Sequence, residues 1–165
     1  METPNDRLIR YVQDAHAAEV GIIDVLKDFA DEVDNSEIRS AFQEHLTVTQ
    51  SQAQRLEQRL NALGSKPSGG KSFLNTMMAK VTDVMHAAHD EYDKATQDLI
   101  KAYATENLEI GMYTALEAYS EQLGDQETAA LARQIKAEEK QAAETVFSMI
   151  PTAAKTALSA PTTAR

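Results

Sequence analysis

Wound at 3.6 residues per turn, the stretch from Arg7 to Val33 places Leu8, Val12, Ala15, Ile22, Ile23, Leu26, Phe29 and Val33 on one continuous apolar face. A second arc holds Ile38, Ala41, Phe42, Val48, Ala53, Leu56, Leu60 and Leu63. A third holds Leu99, Ala102, Tyr103, Ile110, Tyr113 and Leu116, and a fourth holds Leu131, Ile135, Ala142, Val146 and Met149. These arcs predict four long amphipathic helices packed around one core.

The punctuation between the arcs sets their limits. The first helix runs from about Asp6 to Val33, after Pro4 and Asn5. Asp34–Asn35–Ser36 is a short polar turn able to cap a second helix from about Ser36 to Leu63, with Gly64 as its stop. The short turn makes these two an antiparallel hairpin. Ser65 to Lys71, SKPSGGK, is a loop. Ser72 to Leu123 is too long for one helix of the same bundle. It divides near His89 to Asp93 into a shorter helix, Phe73 to Ala88, and a third long helix, Tyr92 to Leu123. Gly124–Asp125 closes that helix and opens the fourth, which Pro151 is expected to end near Ile150. The expectation is an all-α, antiparallel four-helix bundle, up-down-up-down or closely related, over residues 1–150. It carries an additional short helix between the second and third, and a flexible tail over 151–165.

Several positions inside the apolar arcs are polar. Glu19 falls within the first, His45, Thr49 and Gln52 within the second, Glu106 and Glu109 within the third, and Glu139 within the fourth, with Glu138 at its edge. A lone carboxylate in a helix core is costly, because desolvation disfavours its charged form. Several carboxylates and an imidazole, spread over the four helices at compatible depth, are explained together if a cation holds them. Glu19, His45, Glu106, Glu109 and Glu139 are therefore the candidate metal ligands. Oxygen donors with one imidazole suit iron or manganese, and zinc is compatible with them. His16, one turn before Glu19, is either an extra ligand or a hydrogen-bond partner of Glu19. The bland alternative is a bundle with no metal, in which His45 is a satisfied core histidine and the carboxylates share protons or meet water. His86 and His89 are spaced to grip a surface metal but read more simply as solvated histidines.

The 165-residue chain has a formal net charge of −10 and no cysteine. The charge argues against nucleic acid and against an anionic membrane surface as partners. The missing cysteine removes disulfides, thiolate metal sites and thiol catalysis. Met1 to Asp6 is short, polar and acidic, unlike a signal peptide, and no stretch approaches the ~20 apolar residues of a membrane span. Cytoplasmic is the expected location. Phe73, Leu74, Met77, Met78, Val81 and Met85 give the short helix an apolar stripe, from which a homodimer is expected.

Four segments carry a resemblance: DAHAAEVGIIDVL at Asp14, IRSAFQEHLTVTQSQAQRLEQ at Ile38, ENLEIGMYTALEAYSEQLG at Glu106 and AEEKQAAE at Ala137. In this order, with a short loop after the second, they resemble the ferritin-like superfamily and, within it, the YciE/YciF-type family. The superfamily's di-metal template takes one Glu from each of two helices and Glu-x-x-His from each of the other two. The resemblance implies that Glu19, His45, Glu106, Glu109, Glu138 and Glu139 stand at ligand positions. The chain also departs from the family pattern. Thr47 and Val48 replace an acidic pair after the histidine, Asn107–Leu108 replaces His-Tyr, and Ala143 replaces an Asp. Membership implies a link to stress responses and names no reaction. Two readings stand: a metal-binding protein, its site degenerate in part, whose metal reacts with oxygen or peroxide; or a non-enzymatic stress or interaction bundle that kept the fold and lost the metal.

Overall fold

The computed structural model describes residues 2–68, 93–156 and 158. Four long helices account for nearly all of them: α1 (Pro4–Glu32), α2 (Ser36–Ala62), α3 (Lys94–Leu123) and α4 (Gln126–Thr156). No strand occurs among the described residues. The expected short helix over Phe73 to Ala88, with its apolar stripe and the two histidines after it, lies outside the described residues.

Local chemistry sets the helix ends. Thr3 caps α1 through a reciprocal box: its hydroxyl accepts from the Asp6 N–H while the Asp6 carboxylate accepts from the Thr3 N–H. Asn35 caps α2 by accepting from the N–H groups of Glu37 and Ile38. Gly124, at φ 84°, ends α3 in the left-handed region that glycine enters without a Cβ penalty. Asp125 then accepts from the Thr128 N–H at 3.0 Å to start α4.

The fourth helix does not stop at Pro151. It continues through that residue to Thr156. The extra turn brings Ala153, 4% exposed, into the same apolar cluster as Val33, Ile38 and Leu99. That burial offsets the backbone hydrogen bond that proline cannot donate.

α1 and α2 pack closely as one hairpin and α3 and α4 as another, with looser α1–α3 and α2–α4 seams between them. The direction of α3 follows from its contacts. Lys94 pairs with Glu32 at 2.6 Å, and the Tyr119 hydroxyl donates to the Pro4 carbonyl at 3.0 Å. α3 is therefore antiparallel to α1 and parallel to α2, which makes the bundle up-down-down-up instead of up-down-up-down. α2 and α4 are antiparallel: Arg59, near the end of α2, reaches Asp125 at 2.6 Å and Thr128 at 2.8 Å at the start of α4. This order, two hairpins joined by a single crossover, is that of ferritin-like bundles. No described helix is long and apolar enough to cross a membrane.

The apolar core is divided in two. One cluster contains Ala18, Ile22, Leu26, Phe29, Phe42, Leu99 and Val146; the other contains Leu8, Val12, Leu56, Leu60, Tyr113, Leu116 and Ile135. Between the clusters every helix buries polar residues: Glu19 on α1, His45, Thr49 and Gln52 on α2, Glu106 and Glu109 on α3, and Glu139 on α4. The bundle thus carries a polar layer across its middle.

Candidate metal centre

All five candidate ligands lie in that layer and are shielded from water. Glu19, Glu106, Glu109 and Glu139 are each 1% exposed and His45 is 7% exposed. His45, Glu106 and Glu139 converge most tightly: one donor atom from each lies within 4.8 Å of the other two. His45 Nε2 stands 3.5 Å from Glu106 Oε2 and 3.8 Å from Glu139 Oε2. The three residues come from three helices, so only the assembled bundle brings them together.

Glu19 and Glu109 border this group without joining its closest cluster. The Tyr113 hydroxyl donates a hydrogen bond to Glu19 Oε1. Glu109 sits near enough for the charges of Glu19, Glu139 and Glu106 to act on it. The second oxygen of Glu19, Oε1 of Glu109, Oε2 of Glu106 and both ring nitrogens of His45 are buried with no hydrogen-bond partner. Buried polar atoms are seldom left so. Here the orphaned atoms are carboxylate oxygens and imidazole nitrogens gathered at one level, and a divalent cation is the group whose bonds they fit.

The electrostatics agree. Burial pushes the Glu19 carboxyl well above its usual range, and the charge of Glu139 adds to this, while the Tyr113 hydrogen bond opposes it. Burial is also the main cause of the high pKa of Glu106, followed by its hydrogen bond and charge interaction with Glu139. Glu109 is raised by burial and then by Glu19, Glu139 and Glu106. Burial and the charges of Glu19 and Glu109 push the Tyr113 phenol well above its ordinary value. Without a cation, Glu19, Glu106 and Glu109 hold their protons to higher pH than an exposed carboxyl would.

Outside the ligand set, the structure separates candidates that look alike in sequence. Glu138 is engaged: it accepts from Arg55 Nη1 at 3.0 Å, from Arg55 Nη2, and from Gln52 Nε2 at 3.1 Å. Glu117 pairs with Arg133 at 2.7 Å and with Lys136. His16 is half-buried and makes no hydrogen bond to Glu19; its Nδ1 has no partner, and burial lowers its pKa. Gln52, which also donates to Glu139 Oε1, is a site residue that acidic and imidazole patterning passes over. Its sequence signal is an amide inside an apolar arc with Arg55 one turn on. A groove of about 670 Å³ opens between α2 and α4, with His45, Glu138, Val48 and Val146 in its wall.

The crossover topology and the buried carboxylate layer define a ferritin-like four-helix bundle protein. Residues 3–159 match the family described as "Domain of unknown function (DUF892)", and the chain belongs to that family. A protein of Xanthomonas campestris is 25% identical, covering 95% of this chain and 97% of its own, with a TM-score of 0.81. The E. coli stress protein YciF is 23% identical over 94% of this chain and 99% of its own, with a TM-score of 0.81. A ferritin-like, diiron-carboxylate protein of Bacillus anthracis is 18% identical over 91% of this chain and 99% of its own, with a TM-score of 0.73. The chain accordingly belongs to the DUF892 family and has the ferritin-like fold of these structures.

Proposed function

We propose that this protein binds a divalent metal, iron or manganese, in the polar layer, with His45, Glu106 and Glu139 as the central ligands and Glu19 and Glu109 completing the shell. The observation that carries this reading is the buried triad: one donor atom from each residue lies within 4.8 Å of the other two, and Glu106 Oε2 and both His45 ring nitrogens have no hydrogen-bond partner. The diiron-carboxylate character of the Bacillus anthracis protein supports it. A bound iron or manganese ion would supply one-electron redox chemistry toward oxygen or peroxide, which suits a role in stress like that named for YciF. The chain's own part is to exclude water, to hold carboxylates poised to exchange protons for a cation, and to place the Tyr113 hydroxyl on Glu19. The second reading, a metal-free bundle, draws on the raised carboxyl of Glu106, which burial and the neighbouring Glu139 hold toward its protonated form.

Elemental analysis of the purified protein decides between them. Iron or manganese at near-integral stoichiometry is expected, falling to background in a His45→Ala, Glu139→Ala variant. Wild-type protein that stays metal-free after incubation with Fe²⁺ and Mn²⁺ would establish the second reading. We also propose a homodimer, so sedimentation should give a mass twice the 18.1 kDa of the chain.

A further inference from the structure

Gln52 is wholly buried on α2 at the level of the triad. Its Nε2 donates to Glu138 Oε2 at 3.1 Å and to Glu139 Oε1, so both amide hydrogens are committed. The amide cannot be reversed cheaply. Glu138 accepts from both terminal nitrogens of Arg55 as a salt-bridged carboxylate, and a flipped Gln52 would set a carbonyl oxygen against two carboxylates. The consequence falls on Gln52 Oε1, which is out of water and has no hydrogen-bond partner. Thr49, one turn earlier, is not the answer, because its hydroxyl donates to the His45 carbonyl at 3.1 Å.

A carbonyl oxygen kept dry, one amide width from a nitrogen that touches Glu139, has the chemistry of a hard, neutral donor beside the triad. Amide carbonyls ligate hard divalent cations as carboxylates do. Neutrality matters here. The buried carboxylates of the layer already match or exceed the charge of one divalent cation, so a neutral oxygen adds coordination without adding repulsion.

We propose that Gln52 gives its side-chain carbonyl oxygen to the cation held by His45, Glu106 and Glu139, while its amide nitrogen orients Glu139. This rests on the metal-centre reading above and names a ligand outside its acidic and imidazole set.

The test uses the full chain, stripped with a chelator and reloaded with Co²⁺. Affinity is read by competition with a metallochromic chelator, and coordination by visible absorption. Gln52→Met keeps the size and apolar fit of the side chain and removes the oxygen. It should fold, at some cost to metal-free stability because the buried Glu139 Oε1 loses a donor, bind Co²⁺ at least about tenfold more weakly, and show visible bands altered in intensity as coordination number falls. Gln52→Glu keeps an oxygen donor but adds a charge beside Glu138 and Glu139, so it should bind Co²⁺ more tightly than Gln52→Met though less tightly than wild type, with bands close to wild type. Wild-type affinity and bands in Gln52→Met would place Gln52 outside the coordination sphere and overturn the proposal. So would weakened binding in both variants with wild-type bands, which reports orientation of Glu139 alone. Failure of the wild-type protein to bind Co²⁺ is a separate result: it removes the metal centre itself, and this ligand with it.

Discussion

Tyr113 on α3 donates its hydroxyl hydrogen to Glu19 Oε1 on α1, deep between the two halves of the apolar core, and leaves Glu19 Oε2 without a partner. The bond does two things. It satisfies a phenol that has no water to turn to, and it leaves one carboxylate oxygen free for a cation. Tyr113→Phe keeps the ring packing and removes the bond, so in metal-free protein Glu19 loses its one donor. We expect a loss of about 1–3 kcal/mol, the cost of an orphaned buried acceptor, in urea unfolding of chelator-treated protein. Unchanged stability would mean that Glu19 finds water.

Removing both partners should reverse the sign. Glu19→Leu alone replaces a buried carboxyl by packing but strands the Tyr113 hydroxyl. The double variant Glu19→Leu, Tyr113→Phe strands nothing and should raise the metal-free melting temperature above wild type. The same double variant should carry less metal, since α1 contributes no other acidic residue to the buried layer. A double variant less stable than Tyr113→Phe would contradict the account of the layer as a destabilising polar slab in the metal-free protein.

The pH dependence of metal-free protein follows from the raised carboxyls of Glu19, Glu106 and Glu109. Below the unfolded carboxyl value of about 4.3, folded and unfolded chains are both protonated at these sites. As pH rises above it, the unfolded chain releases protons that the folded chain still holds. Stability therefore falls with rising pH, by up to about 1.4 kcal/mol per pH unit for each group, until the folded carboxyls ionise. Urea midpoints of chelated protein should decline from pH 5 to pH 8. Metal affinity should rise over the same range, because a cation must displace those protons. A shallower midpoint profile in Glu19→Gln, Glu109→Gln protein, which keeps only Glu106 of the three, would attribute the slope to these carboxyls, and an unchanged slope would not.

Arg59 ties the end of α2 to the turn between α3 and α4. It donates to Asp125 at 2.6 Å, to Thr128 at 2.8 Å and to Glu127. Arg59 is 13% exposed and Asp125 16% exposed, so this is a half-buried network and not a solvated pair. Arg59→Met should cost about 1–3 kcal/mol in chemical denaturation, and should leave metal content unchanged because the contacts lie at the bundle end. A loss of metal in this variant would show that the hairpins must be clamped there for the central layer to form.

Much of this protein is determined locally. The period of the apolar arcs, the Thr3 and Asn35 caps and the Gly124 stop are properties of neighbouring residues, and they set the four helices almost to their ends. Glu19, His45, Glu106, Glu109 and Glu139 are legible as buried because each interrupts an apolar arc, and burial of a helix face depends on angular position along one helix. Pro151 misleads for a related reason: the propensity to stop is local, while the burial of Ala153 that carries α4 onward comes from α1, α2 and α3.

Tertiary structure alone decides the direction of α3, because the sign of packing between two hairpins depends on which ends meet, as Lys94 does with Glu32 and Tyr119 with Pro4. It also decides which carboxylates pair. Glu138 and Glu139 are adjacent in sequence, yet Arg55 and Gln52 hold the first at the edge while the second faces His45 at 3.8 Å. Helical periodicity says that a side chain points inward. What it meets there depends on atoms brought from other helices at distances of a few ångströms, and no pattern along one chain segment carries that information.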